Sequence, residues 1–333
     1  MNILITGGYG NIGVMVVRES LQRGHAVTVF EVRNKATEKK ARAYEKRGVT
    51  TRFGDIRNLD DVKKAMAGQD AVIHMAAILP PVSDQRPELC HQVNVEGTQN
   101  IVEAIQGMDA QPALVFVSSA SVMGPTQDQP PPVKADTPLN PTDAYSSSKA
   151  AAETIVRASN TTFCVLRLAA VMPTILILNS MIRMLKVIYD MPLDARCEIV
   201  LDEDVAFALV SAAENLAGTG ELRGQTGFIA GGHQNGLQIN IAAMLKGSFN
   251  PLGIELPDAR LFSDDLNSYY LDWYDTEAIQ SILHYQNHNY NQWQAITKRN
   301  YRYLNPIVTL ARSFVQKWLE RQSPRWGGLD DSW

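Results

Sequence analysis

Short apolar runs alternate with stretches of helical periodicity through the first half of the chain. Ile3 to Ile5 is the first run, and Gly7, Gly8, Gly10 and Gly13 interrupt it. The pattern then changes period: Ile12, Val16, Val17 and Leu21 fall on one helical face, Arg18, Gln22 and Arg23 on another. A second strand follows from Ala26 to Phe30, reaching Glu31, and then a charged helix to about Lys46. Further strands are predicted at Val49–Phe53, Asp70–Met75, Ala113–Ser118 and Phe163–Leu168. Between them lie helices from Asn58 to about Ala67, from Pro87 to about Gln106, and one opened by Asp143. The stretch from Pro125 to Pro141 reads as a proline-rich rim loop. Strict alternation of strand and helix predicts an α/β fold, a Rossmann-like, doubly wound parallel sheet with ligands at the carboxyl ends of its strands.

Beyond Val171 the alternation ends. Met172 to Leu185 is apolar and methionine-rich, and core and substrate wall are equally good readings of it. Helices at Asp202 to about Leu216, Ile239–Phe249 and Thr276–Leu283, with a strand at Gly227–Ala230, predict a smaller C-terminal lobe. An extra C-terminal helix is expected over about Pro306 to Arg321. Ile307, Leu310, Ala311, Phe314, Val315, Trp318 and Leu319 share its apolar face, with basic residues around it. The expected division is a dinucleotide-binding domain at 1–170, a lobe at 171–295 interleaved with it, and a basic amphipathic extension at 296–333. For that extension, docking on its own domain or on a dimer mate is favoured over peripheral membrane contact.

The glycines make the first turn chemically specific. Gly7 supplies a tight turn, Gly10 lets a pyrophosphate approach the backbone, and Gly13 lets the helix pack closely on the strand. The amino end of the helix, at Asn11 and Ile12, then faces an anion. Glu31 stands where a carboxylate accepts the ribose hydroxyls of NAD. Arg33 follows, so NADP is a second choice; Glu31 would repel its extra phosphate, and NAD is preferred. Ala76 and Ala77 leave room for a cofactor across the strand ends. Tyr145 and Lys149 are four apart on one helix and share a face. A neighbouring ammonium favours phenolate, so Tyr145 is expected to act as an acid and base with its pKa lowered below that of free tyrosine. Ser119 leaves the fifth strand where its hydroxyl can meet the same substrate oxygen.

Composition narrows the classes. The chain has 333 residues, 45% of them hydrophobic and 20% charged, enough for a large α/β core. A net charge of −4 gives no electrostatic reason to expect nucleic acid. Cys90, Cys164 and Cys197 are odd in number, lack metal-like spacing and fit buried thiols in a reducing cytosol. The first strand starts at Asn2, so no targeting segment is expected and a cytoplasmic location is. His284 and His288 lack a completing ligand nearby in sequence, and no metal is expected.

With these residues in place, the chain resembles the extended short-chain dehydrogenase/reductases, the NAD-dependent epimerase/dehydratase group. The resemblance rests on Thr6 through Gly13, Gly54-Asp55, His74 through Ala77, Asn94 through Thr98, Ser118 through Gly124, Tyr145 through Lys149, Arg167-Leu168 and Asp202 through Ala206. It implies a catalytic set of Ser119, Tyr145 and Lys149 with Asn94 in support. It places Asp55 and Ile56 at the adenine and Ala76 at the cofactor. Ser119, Ser121, Met172 and Asn179 become the substrate-side candidates, and a homodimer is expected. Ala120 and Ser121 stand where sugar dehydratases of the group carry an acidic pair, which disfavours dehydration. Met123 and Met172 replace residues usual in the group and imply a more apolar substrate wall. Arg183, Arg196 and Arg260 are the candidates for holding a diphosphate. The implied activity is hydride transfer at a secondary alcohol carbon. A nucleotide-sugar epimerase comes first, a dehydrogenase or reductase of a more apolar alcohol second, and a non-catalytic dinucleotide-binding protein is the rival class.

Overall fold

In the computed structural model, which describes residues 1–174 and 188–328, seven parallel strands run in the order β3-β2-β1-β4-β5-β6-β9. They are β1 (Asn2–Thr6), β2 (Ala26–Glu31), β3 (Thr50–Phe53), β4 (Ala71–His74), β5 (Ala113–Ser119), β6 (Phe163–Leu168) and β9 (Thr226–Ile229). The order reverses between β1 and β4, which opens a crevice at their carboxyl ends. A smaller sheet pairs β7 (Ala170–Met172) parallel with β8 (Arg196–Leu201), and β8 antiparallel with β10 (Gln238–Asn240).

The near-continuous apolar strands are explained by layers on both faces. Ile3 and Ile5 of β1, Ile73 of β4, Val115 of β5 and Leu166 of β6 join one core cluster with Val16 and Val17 of α1 (Asn11–Gln22). Leu4, Val72, Leu114, Phe116 and Val165, one residue out of phase, join a second cluster on the opposite face. That is the period of two expected of a pleated strand buried on both sides. The second face is covered by α3 (Leu59–Met66) and α6 (Gly97–Gln106), whose Val62, Met66, Ile101 and Ile105 belong to that cluster.

The later chain returns to the main sheet. The helix Asp202–Ala217 sends Val205, Leu209 and Ala213 into the cluster of α1, and β9 pairs with β6 in register Val165↔Thr226. The region expected as one helix from Pro87 to Gln106 is α5 (Pro87–His91), a π-helical turn at Gln92–Glu96, and α6. The C-terminal extension is likewise divided, into helices Asn305–Leu310 and Arg312–Glu320 with the break at Ala311. All three cysteines are buried and free.

His288 finds in space the carboxylates absent from its sequence neighbourhood. Its Nδ1 lies 2.7 Å from Asp204 and its Nε2 3.4 Å from Glu203, tying the segment before helix Tyr290–Tyr301 to the start of helix Asp202–Ala217. Among the described residues no group of three or more His, Cys, Asp or Glu could hold a metal ion. Hydrogen bonds from His288 to Asp204 and then Glu203 raise its pKa to about 10, against an ordinary 6.5. The folded value lies above the unfolded one. The stabilisation is therefore complete below about pH 6.5 and is lost as pH rises through about 10. We expect Asp204→Asn to lower the melting temperature most at pH 6, with the gap to the parent closing toward pH 10. A gap that stays constant across that window would contradict the assignment.

Candidate active site

Gly7 has φ +71°, a left-handed conformation that glycine adopts freely, and its N–H bonds Phe30 O at 3.1 Å. A Cβ on Gly13 would stand 2.4 Å from Gly7 O, so α1 starts in direct contact with the turn only because that carbon is missing. Gly10 takes the cap position of α1, and no acidic side chain stands in the first turn, which Asn11 and Ile12 begin. This amino end, with no acidic side chain in its own first turn, fits a dinucleotide pyrophosphate.

A relay of hydrogen bonds fixes the facing wall. Thr6 Oγ1 accepts from the N–H groups of Met75 and Ala76, both at 3.1 Å, and lies 2.7 Å from His74 Nδ1. Burial drives the His74 pKa down to about 3, so its ring is neutral. With the Thr6 oxygen already accepting, its proton goes to Nδ1. Nε2 then donates to Thr98 Oγ1 at 3.0 Å, and Thr98 donates to Asn94 O at 2.6 Å. The relay sets the end of β4 against the glycine turn, where a Cβ on Gly7 would meet Ala76 Cα at 3.0 Å. Ala77 follows, half-buried. Thr6, His74 and Thr98 lie inside motifs visible in the sequence, but nothing there assigns them this role.

At the end of β2, Glu31 accepts from Tyr9 N and Val32 N, each at 3.3 Å. Burial raises its pKa, partly offset by those bonds and by Lys40. Arg33 lies over the Phe53 ring, 4.4 Å from its centroid, and pairs with Glu38 at 2.9 Å. Asp55 is gripped by Arg57, whose hydrogen bonds and charge lower its pKa. Ile56 turns its side chain into the core, where it leaves no room for a Cβ on Gly97: the gap would be 2.8 Å. Its carbonyl accepts from Asn100.

Ser119 ends β5 and caps a short 3-10 turn, accepting from Ser121 N at 3.2 Å and Ser121 Oγ at 2.9 Å. Asp143 caps α7 (Ala144–Ala158) through a capping box with Ser146. That places Tyr145 in the first turn, close enough to Ser119 for the serine side chain to lower its pKa. Lys149, one turn on, points away: its Nζ donates to Val117 O at 2.8 Å. Burial brings the Lys149 pKa down to about 8. Burial pushes the Tyr145 phenol up, with Tyr270 adding to the rise and Ser119 opposing it. The expectation that Lys149 depresses the Tyr145 pKa is thus corrected for the chain alone. Desolvation dominates, and the ammonium is spent on a carbonyl.

Asn94 sits in the π turn. Its Oδ1 accepts from Ile78 N at 2.7 Å, and its Nδ2 donates to Ile78 O at 3.1 Å and Ser148 Oγ at 2.9 Å. It therefore joins the strand end after β4 to the back of α7. Glu153, one turn beyond Lys149, accepts from Arg167 at 2.9 and 2.8 Å, from Ser118 at 2.6 Å and from Arg157 at 2.8 Å. Burial raises its pKa, but these donors outweigh it and the net shift is downward.

On the substrate side, Met172 is half-buried against the lobe core. Met123 belongs to a buried cluster with its sulfur 3.3 Å from Arg167, so it is core and does not line the site. Asn179 and Arg183 lie outside the described residues. Tyr269 and Tyr270 stack with centroids 4.4 Å apart, and Tyr270 is near enough to raise the Tyr145 pKa. They lie too far along the chain for sequence to connect them with α7. Arg196 is committed to Asp272 at 2.6 Å and to the carbonyls of Thr126, Gln127 and Gln129. Arg260 pairs with Asp258 at 2.7 Å.

Comparison with known proteins places this geometry in context. The model of the NAD dependent epimerase/dehydratase family matches residues 3–189. A 3-beta-hydroxysteroid dehydrogenase of Mycolicibacterium neoaurum is 36% identical over 167 residues, 47% of this chain and 43% of that protein. A UDP-glucose 4-epimerase of Lactobacillus helveticus is 34% identical over 163 residues, 47% of this chain and 46% of that protein. The chain thus spans about half the length of the curated relatives it matches. The crystal structure of a UDP-glucose-4-epimerase from Stenotrophomonas maltophila, with bound NAD and formylated UDP-arabinopyranose, aligns with a TM-score of 0.73. Its sequence is 21% identical, and the alignment covers 92% of this chain and 99% of that one. At that identity the likeness is one of fold.

The Glu153–Arg167 pair offers a test of how α7 is held, since both side chains are 1% exposed. Arg167→Met leaves a buried carboxylate short of its main partner. It should cost about 3–5 kcal/mol in denaturant unfolding. A loss below about 1 kcal/mol, the range of exposed pairs, would show that the pair does not anchor the helix.

Proposed function

The chain belongs to the NAD dependent epimerase/dehydratase family, and from that premise we propose that it binds NAD and moves hydride at a secondary alcohol carbon. The observation that carries this reading is the convergence of Ser119, at the carboxyl end of β5, and Tyr145, in the first turn of α7, close enough for the serine hydroxyl to lower the phenol's pKa and one strand removed from the glycine turn of β1. NAD, when bound, accepts or returns the hydride. Gly7, Gly10, Asn11, Ile12 and Gly13 would cradle its pyrophosphate, Glu31 its ribose hydroxyls, and Ala76 and Ala77 its path across the strand ends. Asp55 and Ile56 would stand at the adenine. In the oxidative direction the alcohol loses hydride from carbon and a proton from oxygen. Tyr145 Oη, as the phenolate left when its own proton has gone to solvent, takes that proton and becomes the phenol, and Ser119 Oγ holds the same oxygen. In the reductive direction the raised pKa suits Tyr145 directly, since the phenol keeps the proton it must donate. Lys149, bonded to Val117 O, and Asn94, bonded to Ser148, keep α7 in register.

Between the two finer readings, the candidate arginines among the described residues favour an apolar alcohol or ketone, with net oxidation or reduction. Arg196 and Arg260 are both occupied by carboxylates, so neither stands ready for a diphosphate. Tyr269, Tyr270 and Met172 supply apolar surface instead. The nucleotide-sugar epimerase reading draws on the Lactobacillus helveticus relative. Cofactor stoichiometry separates them: a dehydrogenase reduces one NAD per alcohol oxidised, whereas an epimerase turns over without net change in NAD. We expect net NADH formation with a hydrophobic secondary alcohol. Turnover of a sugar nucleotide with no accumulated NADH would favour the epimerase.

Cofactor choice gives a second prediction. Glu31 should make NAD bind more tightly than NADP in a titration of both, and Glu31→Ala should narrow or reverse the gap. A preference for NADP in the parent would mean that Arg33 overrides Glu31 despite its pairing with Glu38.

A further inference from the structure

Leu310, at 94%, and Phe314, at 74%, are the most exposed large hydrophobic side chains among the described residues, and Trp318 is 40% exposed. Single exposed apolar residues are ordinary, but a contiguous set is not. Phe314 and Trp318 stand one turn apart on helix Arg312–Glu320, and Leu310 ends the helix that precedes it. The neighbouring face of that helix is anchored. Leu319 is 2% exposed, and its carbonyl accepts from Tyr189 Oη at 2.7 Å. Just beyond, Ser323 Oγ donates to Leu261 O at 2.7 Å and Arg325 to Tyr189 O at 3.0 Å. One side of the helix is thus fastened to the lobe while aromatic side chains project from another.

Charge indicates what covers the projecting side. Lys317 and Arg321 follow Phe314 and Trp318 by three residues and are exposed, and no ion pair among the described residues takes up either. Ile296 to Trp333 holds seven basic and three acidic side chains, a balance of +4 in a chain whose total is −4, which leaves −8 for the rest. A second copy of the same face would bring like charges together. A lipid headgroup layer takes Phe and Trp at its boundary and Lys and Arg at its anionic surface.

We propose that this face rests on an anionic lipid surface. Leu310, Phe314 and Trp318 enter the boundary between headgroups and acyl chains, and Lys317 and Arg321 meet the anionic headgroups. No described helix is long and apolar enough to cross a membrane, so the contact is peripheral.

The test is flotation of the full chain with phosphatidylcholine vesicles, with and without phosphatidylserine. The phosphatidylserine vesicles should bind on the order of tenfold more protein, and raised salt should remove most of the difference. Phe314→Ser with Trp318→Ser should abolish flotation without lowering the melting temperature, because both side chains already face outward. Lys317→Gln with Arg321→Gln should remove the phosphatidylserine preference and provides a check that leaves the apolar face intact. No flotation with either vesicle, equal flotation with both, or undiminished flotation of the aromatic double variant would overturn the proposal. So would a dimer that the aromatic variant dissociates while vesicles bind nothing, since the face would then belong to a second copy.

Discussion

The missing carbon at Gly13 is the constraint on which the rest of the site depends. With a Cβ 2.4 Å from Gly7 O the first helix could not start where it does, and strand β1 could not turn into it within so few residues. That contact fixes the amino end of α1 above the crevice between β1 and β4. The Thr6–His74–Thr98 relay then fixes the other wall of the same crevice to the same turn. A neutral imidazole is required for the relay to run, and burial supplies it. Two local demands, a glycine with no substituent and a histidine without charge, therefore set the geometry of one binding edge.

The edge that carries Tyr145 is held by a different kind of force. Helix α7 is positioned by buried polar groups: Lys149 on Val117 O, Ser148 on Asn94, and Glu153 on Arg167 and Ser118. Each is costly to desolvate and is stable only because its partner is in place. This makes α7 hard to displace and puts Tyr145 at a defined height over the strand ends. It also explains the direction of the Tyr145 pKa. A site dry enough to anchor the helix through buried groups is also dry enough to oppose a phenolate.

How much of this was legible in the sequence follows from which interactions are local. The parallel sheet was readable because strands covered on both faces are apolar throughout and the helices between them switch to a period near 3.6. The turn at Gly7, the carboxylate at Glu31 and the hydroxyls at Ser119 and Tyr145 were readable because short spacing fixes them. The direction of Lys149 was not, since four-residue spacing puts it on the face of Tyr145 without saying which acceptor takes its ammonium. The contact of His288 with Asp204 spans 84 residues and leaves no local trace. Met123 read as substrate wall from its position in a motif, whereas the fold closes Arg167 and Phe228 around it. The break at Ala311 was hidden by an apolar pattern that continues across it.

In the proposed mechanism Tyr145 exchanges the proton of the reacting oxygen while NAD is held by elements that do not depend on its hydroxyl. Replacing Tyr145 with Phe removes one oxygen and keeps the ring in place. The most direct measurement compares NAD affinity by calorimetry with turnover on the true substrate, for the parent and for Tyr145→Phe. We expect unchanged affinity and a fall in turnover of about 10²–10⁴-fold, the typical contribution of a positioned acid or base. Turnover near that of the parent would contradict it.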